Sequence, residues 1–109
     1  MSRIHTVLPT LTLSTAGGAT ADSASFKPAP GHSMVVAYIK TTTSSATVTL
    51  QRQDAAGNWN ALETGVAHVS GTEQAHTITK PVAGPIRAHF ASISVGDGTA
   101  QIEFMDDAP

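Results

Sequence analysis

The sequence predicts an all-β fold, a single antiparallel β-sandwich or jelly-roll-like barrel of about seven to nine strands with an extended N-terminal arm. Three observations carry this. Apolar and polar residues alternate at period two in several stretches, as where Val48 and Leu50 interleave with Thr47, Thr49 and Gln51. Gly, Pro, Asp and Asn clusters punctuate those stretches at near-regular intervals. Nowhere do apolar residues recur at helical spacing over two turns.

Taken in order, residues 1–30 read as an arm or as first strands with a linker, and residues 31–109 as the sandwich core. Arg3–Leu8 is a short strand or arm, interrupted by Pro9, which cannot donate to a ladder. Leu11 and Leu13 then share one face of a second short strand. Ala19–Ser25 is a loop or weak strand reaching Phe26, and Lys27–Gly31 is a rigid connector. Ser33–Lys40, which includes Tyr38, is the most apolar strand and looks buried on both faces, so it is placed centrally. Thr47–Leu62 reads as a hairpin around Asp54-Ala-Ala-Gly-Asn58, with Trp59 opening the return strand. Gly65–Val69 and Glu73–Thr79 are further strands, the latter with Ile78 as its one buried-looking residue. Pro81–Pro85 is a second connector. In Ile86–Val95, Ile86, Ala88 and Phe90 share a face, and the phase breaks before Ile93, as at a bulge or a change of sheet. Gly96–Thr99 is read as a hairpin turn, Ala100–Phe104 as the last strand, and Asp106–Pro109 as a charged tail.

The expected core is Trp59, Val48, Leu50, Tyr38, Phe90 and Phe104, with the single Trp as its largest side chain. Large apolar residues are few: Leu, Ile, Val and Phe total 22 of 109. With a net charge of only −2, that composition still favours a folded domain over disorder. Charged residues are 13%, and 15 Thr, 10 Ser and 17 Ala take their place. A surface with so little charge suits a protein covered by neighbours.

Several chemistries are expected to be absent. With no Cys there is neither a disulfide framework nor thiolate catalysis. Weak acidity argues against a nucleic-acid partner, and no run is long enough for a membrane helix. The N-terminus lacks a long apolar stretch, so no signal peptide and synthesis in a host cytoplasm are expected. No Gly-x-Ser-x-Gly elbow, paired carboxylates or phosphate loop occurs, so no enzyme activity, catalytic residue or cofactor is expected. Glu63, Glu73 and Glu103 read as solvent-facing, and Arg52 and Arg87 as solvated or paired with Glu63 or Glu103. Asp97, Asp106 and Asp107 offer oxygen ligands without a calcium loop, and no metal site is expected. His5, His32, His68, His76 and His89 read as surface or inter-subunit histidines; His68 and His76 are the two that can meet, across a hairpin.

The segment Val48–Leu62 resembles the strand, Asp-x-x-Gly-x-Trp, strand hairpin of small β-sandwich proteins of tailed-bacteriophage virions. Gly84–Phe90 followed by Gly96–Phe104 is similar to the closing hairpin of those proteins. The resemblance covers about residues 33–105 and supplies no functional residues. It implies a non-enzymatic virion component: a capsid decoration (cement) protein, or a tail-associated one. The implied partners are the major capsid protein or other virion proteins, and further copies of the chain, with a trimer favoured. Ile4, Val7, Leu8, Leu11 and Leu13 are the expected interface, since an extended arm can add a strand to a neighbour's sheet. On that view, removing residues 1–14 leaves the core folded. The alternative is a carbohydrate-binding or host-attachment module of a tail or baseplate, using an exposed Trp59 face with Tyr38, Asn58 and Asn60.

Overall fold

The computed structural model describes residues 3–14, 19–29, 34–80, 82–94 and 97–107. The fold is a sandwich of two five-stranded antiparallel sheets, with no helix and no closed barrel among the described residues. The first sheet holds β1 (Arg3–Val7), β2 (Leu11–Leu13), β4 (Met34–Thr42), β8 (Glu73–Ile78) and β10 (Gly98–Asp107). Its order is β1-β10-β4-β8, and β2 also lies along β10. The second holds β3 (Ala21–Asp22), β5 (Ser45–Gln53), β6 (Trp59–Ala61), β7 (Val66–His68) and β9 (Ile86–Ser94). Its order is β3-β9-β5-β6, with β7 also on β5. Ten strands exceed the expected seven to nine because β3 is only two residues long, too short to leave a periodic signal.

Strict alternation builds the core. Val35, Ala37 and Ile39 of β4 and Ile102 and Phe104 of β10 point inward from the first sheet. Val48 and Leu50 of β5 and Ile86, Ala88 and Phe90 of β9 meet them from the second. Phe26 closes one end by stacking on Phe104, ring centroids 4.7 Å apart. It is pinned by backbone bonds to Ile86 in both directions. The phase break in β9 is real. Two steps along β5, from Ser45 to Thr47, match three along β9, from Ser94 to Ala91. The extra residue lets Ile93 turn into the core, next to Ser92 at φ 53.

Two expected core residues lie elsewhere. Trp59 pairs with Gln53, and Gln53 is out of phase with Val48 and Leu50. Directly opposed residues share a face, so the indole sits half-buried on the outer face of the second sheet. Tyr38 alternates with Ala37 and Ile39 and is likewise half-buried on the outside of β4. One face of β4 is buried, not both. Val48, Leu50, Phe90 and Phe104 are all in the core.

The connections also differ from expectation. The segment after Ser94 carries the chain from β9 in the second sheet to β10 in the first, so it closes no hairpin. Gly98 makes that crossing possible: a Cβ there would lie 1.9 Å from the Thr42 carbonyl oxygen. The β5–β6 hairpin does form. Asp54 Oδ1 accepts the amides of Ala56 and Asn58, its Oδ2 accepts the Asn60 side-chain amide, and Gly57 takes φ 89. Those bonds, the Asn60 one foremost, hold the Asp54 carboxyl below its usual range. The C-terminal stretch is no loose tail. β10 runs through Asp106, whose buried carboxylate accepts the Ala29 amide at 2.7 Å.

The N-terminal stretch is part of the sandwich. β1 and β2 pair with β10 of the same chain, and Leu8 and Leu13 enter the core. Deleting residues 1–14 therefore removes two core side chains and one whole edge of β10. We expect loss of cooperative thermal unfolding for that truncation, and a cost of about 2–5 kcal/mol for Leu13→Ala alone in urea titration. A truncated chain as stable as the full one would show that the segment is dispensable.

Candidate functional site

Four strands build the outer face of the first sheet. Register places His5, Met105, Val36 and Thr77 in one row and Val7, Glu103, Tyr38 and Ala75 in the next. Val7 is 64% exposed, and Val36, Tyr38 and Met105 are half-buried. Charge sits mainly around them: His5 lies 3.5 Å from Glu103, and Glu73 and Lys40 face each other across one end. Beside Pro9, where β1 and β2 separate, a cleft of about 210 Å³ is lined by Val7, Leu8, Thr10, Gln101, Ile102 and Glu103. Of the five expected interface residues, Ile4 (42% exposed) and Val7 reach solvent and Leu11 is half-buried. Leu8 and Leu13 are consumed by the core and present nothing outward.

The outer face of the second sheet is polar. The Arg87 guanidinium lies over the Trp59 ring, 4.3 Å from its centroid. Arg87 also donates to Gln51 at 2.9 Å and sits 3.4 Å from Asp22, which His89 approaches at 2.6 Å. Arg87 thus pairs with Asp22 and not with Glu63 or Glu103, and Arg52 donates to the Ala83 carbonyl. This leaves Trp59 as an aromatic patch at the β6 edge, flanked by the exposed Asn58 and Asn60.

His68 and His76 are not surface histidines. β7 and β8 belong to different sheets, and the two rings meet across the interior, each 2% exposed. Their planes lie within 10° of parallel and their Nε2 atoms are 2.7 Å apart. Glu63, expected in solvent, reaches in. Its Oε2 receives the His76 Nδ1–H at 2.5 Å and the Leu50 amide at 3.0 Å. With both rings neutral, the carboxylate sets the tautomer. His76 donates through Nδ1 and accepts through Nε2 from His68, whose own Nδ1 is buried with no partner. The chain Glu63–His76–His68 clasps the two sheets together where only small neighbours, Ala37 and Ala46, stand opposite the rings. Among the described residues no side chain bonds the far end of this chain, His68 Nδ1. Among the described residues no group of three His, Asp or Glu is placed to hold a metal ion. No helix among them is long and apolar enough to cross a membrane.

No family model and no curated protein matches the chain. Solved structures share its fold. A chain from infectious bursal disease virus, Gx strain, superposes with TM-score 0.54 at 15% identity over 98% of this chain. This chain spans about a third of that one, 32% of its length. A chain from Bacillus endospore appendages, described as disulfide-linked pili, superposes with TM-score 0.51 at 11% identity, covering 99% of this chain and 90% of that one. Both are all-β folds, and the likeness is one of fold.

Burial, reinforced by the neighbouring His76, lowers the His68 pKa from 6.5 to about 4. Its folded value lies below its unfolded one. As pH falls below 6.5 the unfolded chain takes up a proton that the folded chain refuses, and stability is lost down to about pH 4. The loss from this group is about 3 kcal/mol. Urea titrations at pH 7, 5.5 and 4.5 check it: the wild type should lose stability more steeply than His68→Gln. Parallel curves would place the acid sensitivity elsewhere.

Proposed function

We propose that this chain is a non-enzymatic structural protein of a phage virion, a capsid decoration (cement) protein that docks on a lattice of major capsid protein. One observation carries the reading: Val7, Val36, Tyr38 and Met105 form an apolar patch across three strands on the outside of the first sheet, with Glu103 between Val7 and Tyr38 and the Lys40–Glu73 pair at one end. Unbroken pairing from β1 to β8 presents a broad sheet face, and such a face suits a protein lattice better than a small-molecule substrate, which needs a concave pocket. The likeness of the Val48–Leu62 hairpin to virion proteins supplies the setting. The test is cosedimentation with purified capsids. Val36→Lys with Tyr38→Glu should lower occupancy at least tenfold while the far-UV spectrum and melting curve hold. Full occupancy by that double variant would sink the proposal.

A second reading has its own observation. Trp59 is half-buried beside polar groups on the opposite outer face, the position a sugar-stacking ring requires. On this reading the domain attaches to host glycans. Tryptophan emission measured against a panel of oligosaccharides distinguishes the two. A blue shift that saturates with sugar and disappears in Arg87→Ala supports attachment; an unresponsive spectrum rules it out.

A further inference from the structure

The first sheet ends in two outer strands, β1 and β8, and no described strand pairs with the far side of either. Their backbone groups can be assigned by parity. The Leu8 amide donates to the Ile102 carbonyl at 3.0 Å, continuing the β1–β10 register. In an antiparallel ladder the bonding side alternates with each residue, so Ile4 and Thr6 bond to β10 while His5 and Val7 turn N–H and C=O outward. At the other edge the Gly71 amide donates to the Thr41 carbonyl, so the odd residues of β4 face β8. Their partners Gln74, His76 and Ile78 bond inward, and Glu73, Ala75 and Thr77 turn outward.

We propose that β1 of one copy of this chain pairs with β8 of the next, head to tail, so that the first sheet runs on from molecule to molecule. The inference rests on the lattice reading to the extent that it names a second copy as one of the chain's partners. Three features point to it. First, polarity matches: three successive antiparallel pairings from β1 through β10 and β4 to β8 make the two edges antiparallel, so a copy shifted sideways presents β8 to β1 in the correct sense. Second, phase matches. The rows already in the sheet, extended by that shift, set His5 opposite Thr77 and Val7 opposite Ala75, all outward-facing, and Ile4 opposite Ile78, both inward. Ile4, 42% exposed at the open side of the core, would be covered.

Third, neither strand carries a blocking device of its own. Arg-Ile-His-Thr-Val and Glu-Gln-Ala-His-Thr-Ile contain no Pro, Lys or Gly, and their registers carry no bulge. The side chains that would flank the new ladder on β8, Ala75 and Thr77, are small and exposed. A head-to-tail contact does not close on itself unless its rotation does, so growth is open-ended or ends in a ring.

Proline tests each edge separately, because His5 and Ala75 donate to no neighbour inside the sheet. Mass measurement by light scattering, across a hundredfold range of concentration, should show wild-type protein growing in multiples of 11.2 kDa. His5→Pro and Ala75→Pro should each stay monomeric alone and form a one-to-one dimer when mixed, since each retains the edge the other lacks. Ala75→Pro that still dimerises alone would mean β1 pairs with β1 and would overturn the assignment. A wild type monomeric throughout would overturn it as well. Val7→Lys and Thr77→Lys repeat the experiment if a proline variant loses its fold. Capsid cosedimentation of monomeric His5→Pro keeps the two readings apart. Binding without self-assembly leaves lattice docking standing, and self-assembly by a wild type that ignores capsids leaves the edge pairing standing.

Discussion

Pairing along β10 is the constraint on which the rest of this structure depends. This strand bonds β4 along nine residues on one side and β1 and β2 on the other. Phe104 at its middle receives Phe26, and Asp106 near its end fixes Ala29, so β10 also anchors the segment that leads into β4. A chain with 22 large aliphatic and Phe residues has little apolar area to spare. It compensates by placing nearly all inward positions of its long strands at close to full burial, Ala37, Ala88 and Ala100 among them. Loss of the N-terminal strands would open β10 and the core together.

Period-two patterning made the sandwich legible, because each long strand has one wet face and one dry one. Val48, Leu50, Phe90 and Phe104 follow directly from it. Trp59 and Tyr38 lie outside the core for one reason: phase along the strand, not side-chain size, decides which face a residue takes. Counting through the Asp54–Asn58 turn puts Trp59 opposite Gln53, on the same face as Gln51 and away from Leu50. Tyr38 sits between Ala37 and Ile39, and the small Ala marks the core side no less than the Ile does. The exchange of sheets between β9 and β10 was not legible. Gly and Asp favour a turn without saying which sheet the chain enters next, and the Gly98 contact with Thr42 is a tertiary fact.

The histidine pair shows a different limit. Spacing marked His68 and His76 as the two that can meet, but a hairpin brings residues together on one sheet, whereas these meet between sheets. Burying two imidazoles makes sense only once Glu63 is seen to satisfy His76 and the Leu50 amide at once. Nothing in the local sequence around Glu63 distinguishes it from Glu73, which is exposed. The carboxylate reaches inward because the stretch between β6 and β7 runs along the edge of β5, where the Leu62 amide donates to the Leu50 carbonyl, and that path belongs to the fold.

Position links these elements. His76 sits on β8, the outer strand of the first sheet, with its backbone turned toward β4 and its ring against His68. The edge offered to a second copy is therefore held in place both by Ile78 in the core and by a contact between two titratable groups. Acid that charges His68 loosens the clasp between β7 and β8 and, through it, the strand whose outward groups Ala75 and Thr77 carry. The apolar outer face around Tyr38 is carried by β4 and β10, which bond each other along nine residues and so are held apart from that clasp. Docking through the face and pairing through the edge are thus physically separable, and acid acts first on the edge.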